Sequence, residues 1–526
     1  MRLPVALLLA GLVGYISLSQ EILWFRVVSY SDGGRPQSFG HVLGAFLIGI
    51  ALGALVAKHL TERRAPNPGW FGAALALAAP VFYLSIPLVA QISARLPALT
   101  TLSTWAAVMG VALCSGVVFP LLSHFAIREG SSVGSGLSWV YFCNIVGSIL
   151  GPLFTTFVLM DRIELGQLIR LVAGLMLAAA LVATLTSAST TRMRRRVVGA
   201  VLVSAAALIL LHRPLYGSLI ETLHWNEHVD EHGPFEHIVQ TRSGIIAVER
   251  RGIDHLIFGD GVYDGAFNVD PVADVNGIRR GYALAMLHRN PVKVLEIGLS
   301  SASWTWVLAR HRGIQRIQSV EINPGYLEVI RHFPEQSTVP SDPKVSIAID
   351  DGRRWLNRNP GAKFDAIVMN TSFFWRSMST NLLSGDFLEQ LKAHLEPGGV
   401  VFYNTTGSDD VRHTAAQHFR HVVRVATFIA CSDAPFDQTP EERRRNLLQF
   451  VQGPAQRPIL DPDNPETAAV LDELVQMPLE DEAEALRART AQWTVTDDNM
   501  ATEYKSGVRF FDPEVSWSRL FERVRR

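Results

Sequence analysis

A chain of 526 residues with 48% hydrophobic residues and a net charge of -1 has room for more than one domain, and no overall charge to hold a polyanion. The average conceals two unlike parts: residues 1–213 carry 15 Lys and Arg against 6 Asp and Glu, the remainder 33 against 43. Such an asymmetry points to a membrane unit followed by an acidic soluble unit. It excludes nucleic acid as a partner, because the basic residues of the first part sit at the ends of apolar stretches rather than in one patch.

Seven apolar stretches are read in order: Pro4–Val28, Phe39–His59, Trp70–Ile92, Trp105–Ile127, Leu137–Met160, Leu165–Leu185 and Val197–Leu211. Six reach the roughly 20 residues that span a bilayer core. The seventh, with about 15 strictly apolar residues, spans only if Arg196 and Arg213 snorkel at its ends. The first runs through Glu21 and Trp24 without a small-residue cleavage site, so it is read as a helix rather than a removable signal. The expected location is therefore the cell (inner) membrane, multi-pass, with the lipid bilayer as a partner.

Lys58, Arg63 and Arg64 follow the second stretch, and Arg192, Arg194, Arg195 and Arg196 precede the seventh. Positive loops belong in the cytoplasm, which puts the N-terminus there. Seven crossings then leave the second part outside and six leave it inside; both remain open. Cys114 and Cys143 lie in apolar stretches, and Cys431 alone lies in the second part, where it cannot form an internal disulfide but offers a thiol to probe sidedness. Gly44, Gly49 and Gly53 are spaced for close helix approach. Glu21 has Arg170 as its expected counter-charge, with His41 and Asn144 as polar neighbours.

From Val292 onward, short β-rich runs alternate with helical ones. Strands are predicted at Val292–Ile297, Arg316–Glu321, Val345–Ile349, Phe364–Met369 and Val400–Asn404, and further runs at Val423–Ala430 and Asn446–Val451 close the series. Helices are predicted at Ala302–Arg312, Tyr326–Phe333, Arg353–Arg358, Ser384–Leu395 and Val411–Val422. This alternation gives a mostly parallel, doubly wound sheet, whose ligands bind at the carboxyl ends of the strands. Those ends are Gly298, Glu321, Asp351 and Asn370. V-L-E-I-G-L-S-S-A-S (Val294 to Ser303) is a small-residue loop that lets backbone approach an adenosine ligand, although only one glycine of such a loop remains. S-V-E-I-N (Ser319 to Asn323) puts Glu321 where it can accept from two ribose hydroxyls. I-D-D-G-R (Ile349 to Arg353) puts Asp351 where it can accept from an adenine amine. His237, His255 and His288 have no metal-ligand spacing, and no metal is expected.

At these residues the chain resembles spermidine synthase-like proteins fused to a multi-spanning N-terminal membrane region. The resemblance runs from S-L-S-Q-E-I-L-W-F-R (Ser17 to Arg26), through the strand at Ile238–Val248 and F-G-D-G-V (Phe258 to Val262), to T-D-D-N-M-A-T-E-Y-K (Thr496 to Lys505). It implies a helical bundle over residues 1–213, a linker and small β-rich part over 214–290, and a class I methyltransferase-like (Rossmann-like) α/β domain over 291–526. It further implies S-adenosylmethionine or decarboxylated S-adenosylmethionine as cofactor, with Gly298, Ser300, Glu321 and Asp351 as its shell.

In the family the fourth strand ends in an Asp that takes the proton of the attacking amine, with a second Asp three residues on. Here M-N-T-S-F-F-W-R (Met369 to Arg376) places Asn370 and Phe373 there, so an amide replaces the base and Asn370 is left as an orienting group. Phe373, Phe374 and Trp375 are expected either to line a less polar pocket or to pack under a loop. Asp260, Asp497 and Asp498 fall in segments that fold over the family's active site; each equally suits a turn. Three readings stay open. One is a membrane-anchored transferase for a small-molecule acceptor other than putrescine, delivered from solution or the bilayer. The second is a nucleoside- or polyamine-sensing domain that regulates a transporter-like bundle. The third is an extracytoplasmic domain that reuses the fold for chemistry independent of S-adenosylmethionine. Oligomeric state is not encoded in any of these features.

Overall fold

Each of the first six apolar stretches folds as one helix: α1 (Leu3–Ser31), α2 (Gln37–Arg63), α3 (Gly69–Arg95), α4 (Thr100–Ala126), α5 (Val133–Phe154) and α6 (Leu165–Thr186). The fifth ends in a π-helical turn, Thr155–Leu159. The computed structural model describes residues 2–63, 67–127, 133–370 and 373–505, and its contacts divide the chain after Pro234. Among the described residues, six helices are long and apolar enough to cross a bilayer. The seventh stretch becomes α7 (Thr191–Leu210), followed by α8 (His212–Tyr216) and α9 (Leu219–Trp225). It reaches that length only together with the helical segment after it, from which it is bent by 58°. The choice between six and seven crossings thus turns on this bend.

Glycine sets how closely these helices approach. A methyl at Gly49 would overlap the Met109 carbonyl, one at Gly53 the Leu113 carbonyl, and one at Gly116 the Ile50 carbonyl, which brings α2 and α4 into backbone contact. On α1 and α5, Gly14 faces the Asn144 carbonyl and Gly147 the Gly11 carbonyl in the same way. Gly44, expected in this face, meets nothing within 4 Å; five residues before Gly49 and nine before Gly53, it points roughly 140–180° away from them around the helix. Polar side chains inside the bundle pair with each other: Gln20 accepts from the Ser115 hydroxyl at 2.8 Å, and Asn144 donates to the Ala10 carbonyl at 3.1 Å. The expected Glu21–Arg170 pair does not form. Arg170 acts instead on Tyr83 and His212, and His41 sits against the Trp105 ring at 6.0 Å.

Overpacking a tight crossing costs about 1–3 kcal/mol. Gly53→Leu should therefore lower the melting temperature of the purified chain in detergent, whereas Gly44→Leu should leave it near the wild-type value. Equal effects at the two positions would contradict glycine-mediated contact.

The second unit opens with an antiparallel sheet of β1 (His237–Thr241), β2 (Gly244–Arg251), β3 (Asp254–Gly259) and β4 (Val262–Ala266), paired in that order. The single strand expected at Ile238–Val248 is a hairpin, turned at Arg242-Ser243. Two short helices, α10 (Arg279–Tyr282) and α11 (Leu284–Leu287), lead into β5 (Lys293–Ile297), α12 (Ser303–Ala309), β6 (Arg316–Glu321), α13 (Gly325–His332) and β7 (Val345–Ile349). The chain continues through α14 (Gly352–Arg358), β8 (Phe364–Met369), α15 (Gly385–Ala393), β9 (Leu395–Asn404) and α16 (Asp409–His418). It finishes with β10 (His421–Val425), β11 (Phe428–Ser432), α17 (Pro440–Leu447), α18 (Pro465–Gln476) and α19 (Ala483–Arg487), apart from short terminal pieces.

The seven strands lie in the order β10-β11-β9-β8-β5-β6-β7. The five from β7 to β9 run parallel, and β11 and β10 add antiparallel pairings. This is a methyltransferase-like α/β domain with a mixed sheet. Alternation along each strand explains the two layers. Val294, Ala366, Val368, Val400 and Phe402 enter the core beneath α12, α17 and α18, while Leu295, Ile367, Met369, Val401 and Tyr403 enter the core beneath α15 and α16. A register slip of one residue would exchange the faces.

Two expectations fail for local reasons. Val423–Ala430 crosses a two-residue hairpin turn at Ala426-Thr427, where Ala426 takes φ 53. No glycine or asparagine marks that turn. Asn446–Val451 begins in the last turn of α17, and only Val451 pairs as strand.

Candidate functional site

The sheet reverses its order between β5 and β8, since the chain winds outward from β5 through β6 and β7 and then returns to β8. Ligands of doubly wound sheets bind in the crevice at such a point. Register brings the expected residues to this one edge: Ile297 pairs with Val320 and Met369, and Glu321 pairs with Ile349. Gly298, Glu321 and Asn370 therefore stand at the carboxyl ends of neighbouring strands, and Asp351 stands two residues past the end of β7.

Glu321 is the most constrained of them. It is 4% exposed, and its carboxylate accepts from the Leu299 N–H and from the Asn323 N–H, each at 2.8 Å. One side chain thus joins the loop after β5 to the loop after β6. Burial outweighs these bonds and pushes the group up to about 7. The loop it holds has Gly298 at φ 90, Ser300 at φ 48 and Ala302 at φ 58. Three left-handed residues in five would suit glycines, yet two carry side chains, at a cost of roughly 1–2 kcal/mol each. Ser300 is tied down by donating to the Asp264 carbonyl at 2.8 Å.

Asp351 is the N-cap of α14, accepting from the Arg354 N–H at 2.9 Å through one oxygen. Its other oxygen accepts no hydrogen bond among the described residues. Asn370 follows β8, and its carbonyl accepts from the Asn404 amide at 3.4 Å. Trp375 is buried and touches the Phe373 ring, and Phe374 packs against the core beneath α15 and α16. Of the three aromatics, Trp375 packs inside, while Phe373 and Phe374 stay half-buried.

Asp260 and Gly261 form the two-residue turn between β3 and β4, both at positive φ, as Asp-Gly favours. The same carboxylate accepts from the Ile245 N–H at 2.8 Å and lies 3.7 Å from the Arg376 guanidinium. Asp497 and Asp498 are the corners of a turn closed by Thr496 and Asn499. Asp497 spends both oxygens on Arg353, at 2.9 and 2.7 Å, and also accepts from the Ser384 hydroxyl. Arg353 beside it holds its carboxyl below the usual range. Asp498 is exposed. Asp497 thus fastens this segment to α14, and among the described residues no hydrogen bond or ion pair joins Asp497 or Asp498 to Glu321.

Several groups escaped the sequence reading. Asp264 is hydrogen-bonded by the Tyr326 hydroxyl, and burial raises its carboxyl above the usual range. Arg376 acts on both. Asp264 stands in a second Asp-Gly pair four residues after the first, the signal that could have singled it out. Glu296, 2% exposed on β5, accepts from the Thr305 and Ser319 hydroxyls at 2.6 Å each. Cys431 is 0% exposed, so it cannot serve as the sidedness probe.

A known family matches part of this second unit. Residues 283–431 match the Spermine/spermidine synthase domain. The second unit carries a spermidine synthase domain. Spermidine synthase 1 of Hyoscyamus niger is 32% identical over 113 residues, which span 21% of this chain and 36% of that protein. Polyamine aminopropyltransferase 2 of Streptomyces coelicolor is 26% identical over 423 residues, 76% of this chain and 74% of its own length. A spermidine synthase from Thermotoga maritima aligns with 46% of this chain and 88% of its own at 16% identity and a TM-score of 0.35. Within the matched spermidine synthase segment lie Gly298, Glu321, Asp351, Asn370 and Arg376; Asp260, Asp264 and Asp497 lie outside it.

Glu296 supplies a test of the electrostatics. Burial, opposed by its two hydroxyl partners, pushes it up to about 7 from 4.5. Between those values only the unfolded chain loses the proton, so folding stability falls as pH rises through that window and levels off above it. Glu296→Gln keeps an acceptor for both hydroxyls and cannot ionise. Thermal unfolding should show the variant more stable than wild type at pH 8, by more than about 1 kcal/mol, with little gain at pH 5. A pH-independent difference would refute the assignment.

Proposed function

We propose that this protein is a membrane-anchored transferase of the spermidine synthase type that binds an S-adenosyl nucleoside along the carboxyl edge of its sheet. The carrying observation is Glu321, a buried carboxylate at the end of β6. Each oxygen accepts one backbone N–H and keeps a lone pair for a ribose hydroxyl. Asp351, at the end of the next strand, offers its second oxygen to the adenine amine, and the strained loop from Gly298 to Ala302 brings backbone to the nucleoside. The long apolar helices of the first unit supply the anchor.

In aminopropyl transfer, the amine nitrogen forms a bond to the carbon beside the sulfonium while that C–S bond breaks and the thioether leaves. The amine proton must pass to a base. Asn370 is an amide and cannot take it, so the reading excludes putrescine as the ordinary acceptor. Loss of a positioned base costs on the order of 10²–10⁴ in rate. Purified full-length protein given decarboxylated S-adenosylmethionine and putrescine should yield no appreciable spermidine by mass spectrometry; robust formation would show that another group serves as base. The same amide also favours a second reading, a binding domain that senses its nucleoside without turning it over.

Calorimetry tests the binding itself. Methylthioadenosine should bind wild type, and Glu321→Gln should weaken it about tenfold or more, since charge-assisted hydrogen bonds contribute roughly 1.5–3 kcal/mol. Because the group sits near 7 when empty, affinity should rise as pH goes from 6 to 8. A pH-independent affinity, or full binding by the variant, would remove Glu321 from the site.

S-adenosyl compounds are cytosolic, so the reading places the second unit inside. Ile253, 91% exposed between β2 and β3, is a suitable reporter. Ile253→Cys should react with a membrane-impermeant thiol reagent only after permeabilisation; labelling in intact cells would place the unit outside.

A further inference from the structure

Arg376 is anomalous for its environment. Its side chain is 24% exposed, yet it makes no side-chain hydrogen bond among the described residues. Its one ion pair, to Asp260, is 3.7 Å long. Two arginines of equal exposure in the same unit are better partnered. Arg353, at 25%, bonds both oxygens of Asp497 and the Asn381 carbonyl. Arg279, at 25%, bonds Glu473 and the carbonyls of Pro271 and Val272. A guanidinium has five N–H donors in a fixed fork, and leaving them unmet in a partly dry site is unfavourable. Such a fork matches a carboxylate through two parallel bonds.

The surroundings say which kind of carboxylate. Arg376 comes from the loop after β8. It pairs with Asp260 and acts electrostatically on Asp264, both from the β3–β4 hairpin, and on Tyr326, which follows β6. Ser300, bonded to the Asp264 carbonyl, ties this group to the loop after β5. One guanidinium and two carboxylates within reach of each other form a receptor for a zwitterion, with the acids facing an ammonium and the arginine facing a carboxylate.

Sheet order gives the direction. With the base at β7 and the ribose at β6, the substituent on the 5′ carbon extends toward β5 and β8, where this group stands. We propose that Arg376 makes the site selective for a nucleoside sulfonium that retains its α-amino-acid head, S-adenosylmethionine, over the decarboxylated form. The inference rests on the nucleoside reading of Glu321 and adds the substrate class. The decarboxylated compound presents only an ammonium, which meets the acids and leaves the guanidinium unmet. S-Adenosylmethionine satisfies both.

The test is calorimetry on the full chain in detergent with three ligands: S-adenosylmethionine, its decarboxylated form and methylthioadenosine, which lacks the head group. Wild type should bind S-adenosylmethionine at least tenfold more tightly than the decarboxylated compound. Arg376→Gln should bring the two within about threefold and leave methylthioadenosine unchanged, which also certifies the fold; Arg376→Lys should retain part of the preference. Methylthioadenosine binding with no preference for S-adenosylmethionine in wild type overturns the selectivity and spares the nucleoside site. Arg376→Gln weakening all three alike shows a merely structural arginine and also overturns it. Binding of none of the three by folded wild type overturns both.

Discussion

One carboxylate organises the edge of this sheet. Glu321 accepts from the amides of Leu299 and Asn323 and so clamps together the loops that follow two neighbouring strands. The clamp is what makes the loop after β5 tenable. Ser300 and Ala302 hold left-handed backbone without being glycine, a strain of the kind that persists only where surrounding contacts over-determine it. Both contacts that do so, Glu321 with Leu299 and Ser300 with Asp264, come from other elements. The four-stranded sheet braces the clamp: the Thr241 hydroxyl donates to the Asn323 side chain at 2.7 Å, fixing the residue whose backbone N–H Glu321 holds.

Topology then distributes the chemistry. Because β5 lies in the middle of the winding, segments from three other parts of the chain meet the loop that follows it. The β3–β4 hairpin brings Asp260 and Asp264, the loop after β6 brings Asn323 and Tyr326, and the loop after β8 brings Asn370 and Arg376. The C-terminal segment acts from further off. Asp497 holds Arg353 on the helix capped by Asp351, and Lys505 holds Asp410 at 2.8 Å. These contacts fix the α14 and α16 ends of the layer without entering the crevice.

The strands from β5 to β8 were legible because each is a short apolar run ending in an acid, an amide or a glycine, and their parallel register follows from the helices between them. The edge residues Gly298, Glu321, Asp351 and Asn370 were legible for the same reason, since a strand end has a fixed place in this architecture. Partnerships across the chain were not. Asp264 and Tyr326 are 62 residues apart, and Arg353 and Asp497 are 144 apart; no periodicity encodes such a meeting. Local geometry misled in two places. The Ala426-Thr427 turn carries no turn-forming residue, so β10 and β11 read as one strand. Gly44 lacks the contact of Gly49 and Gly53, because its five-residue step from Gly49 turns it roughly 140° around the helix, onto another face. Glu21 and Arg170 show the same limit, since opposite charge in two apolar stretches does not make them adjacent.

The central claim is that the three strand-end loops form one nucleoside-binding edge. Amide hydrogen exchange on the full chain, with and without methylthioadenosine, addresses it directly. The account predicts that exchange slows together in residues 298–303, 321–326 and 350–354, since one ligand would cover all three. Unchanged exchange in these segments at saturating ligand, or protection confined to another part of the chain, would contradict it.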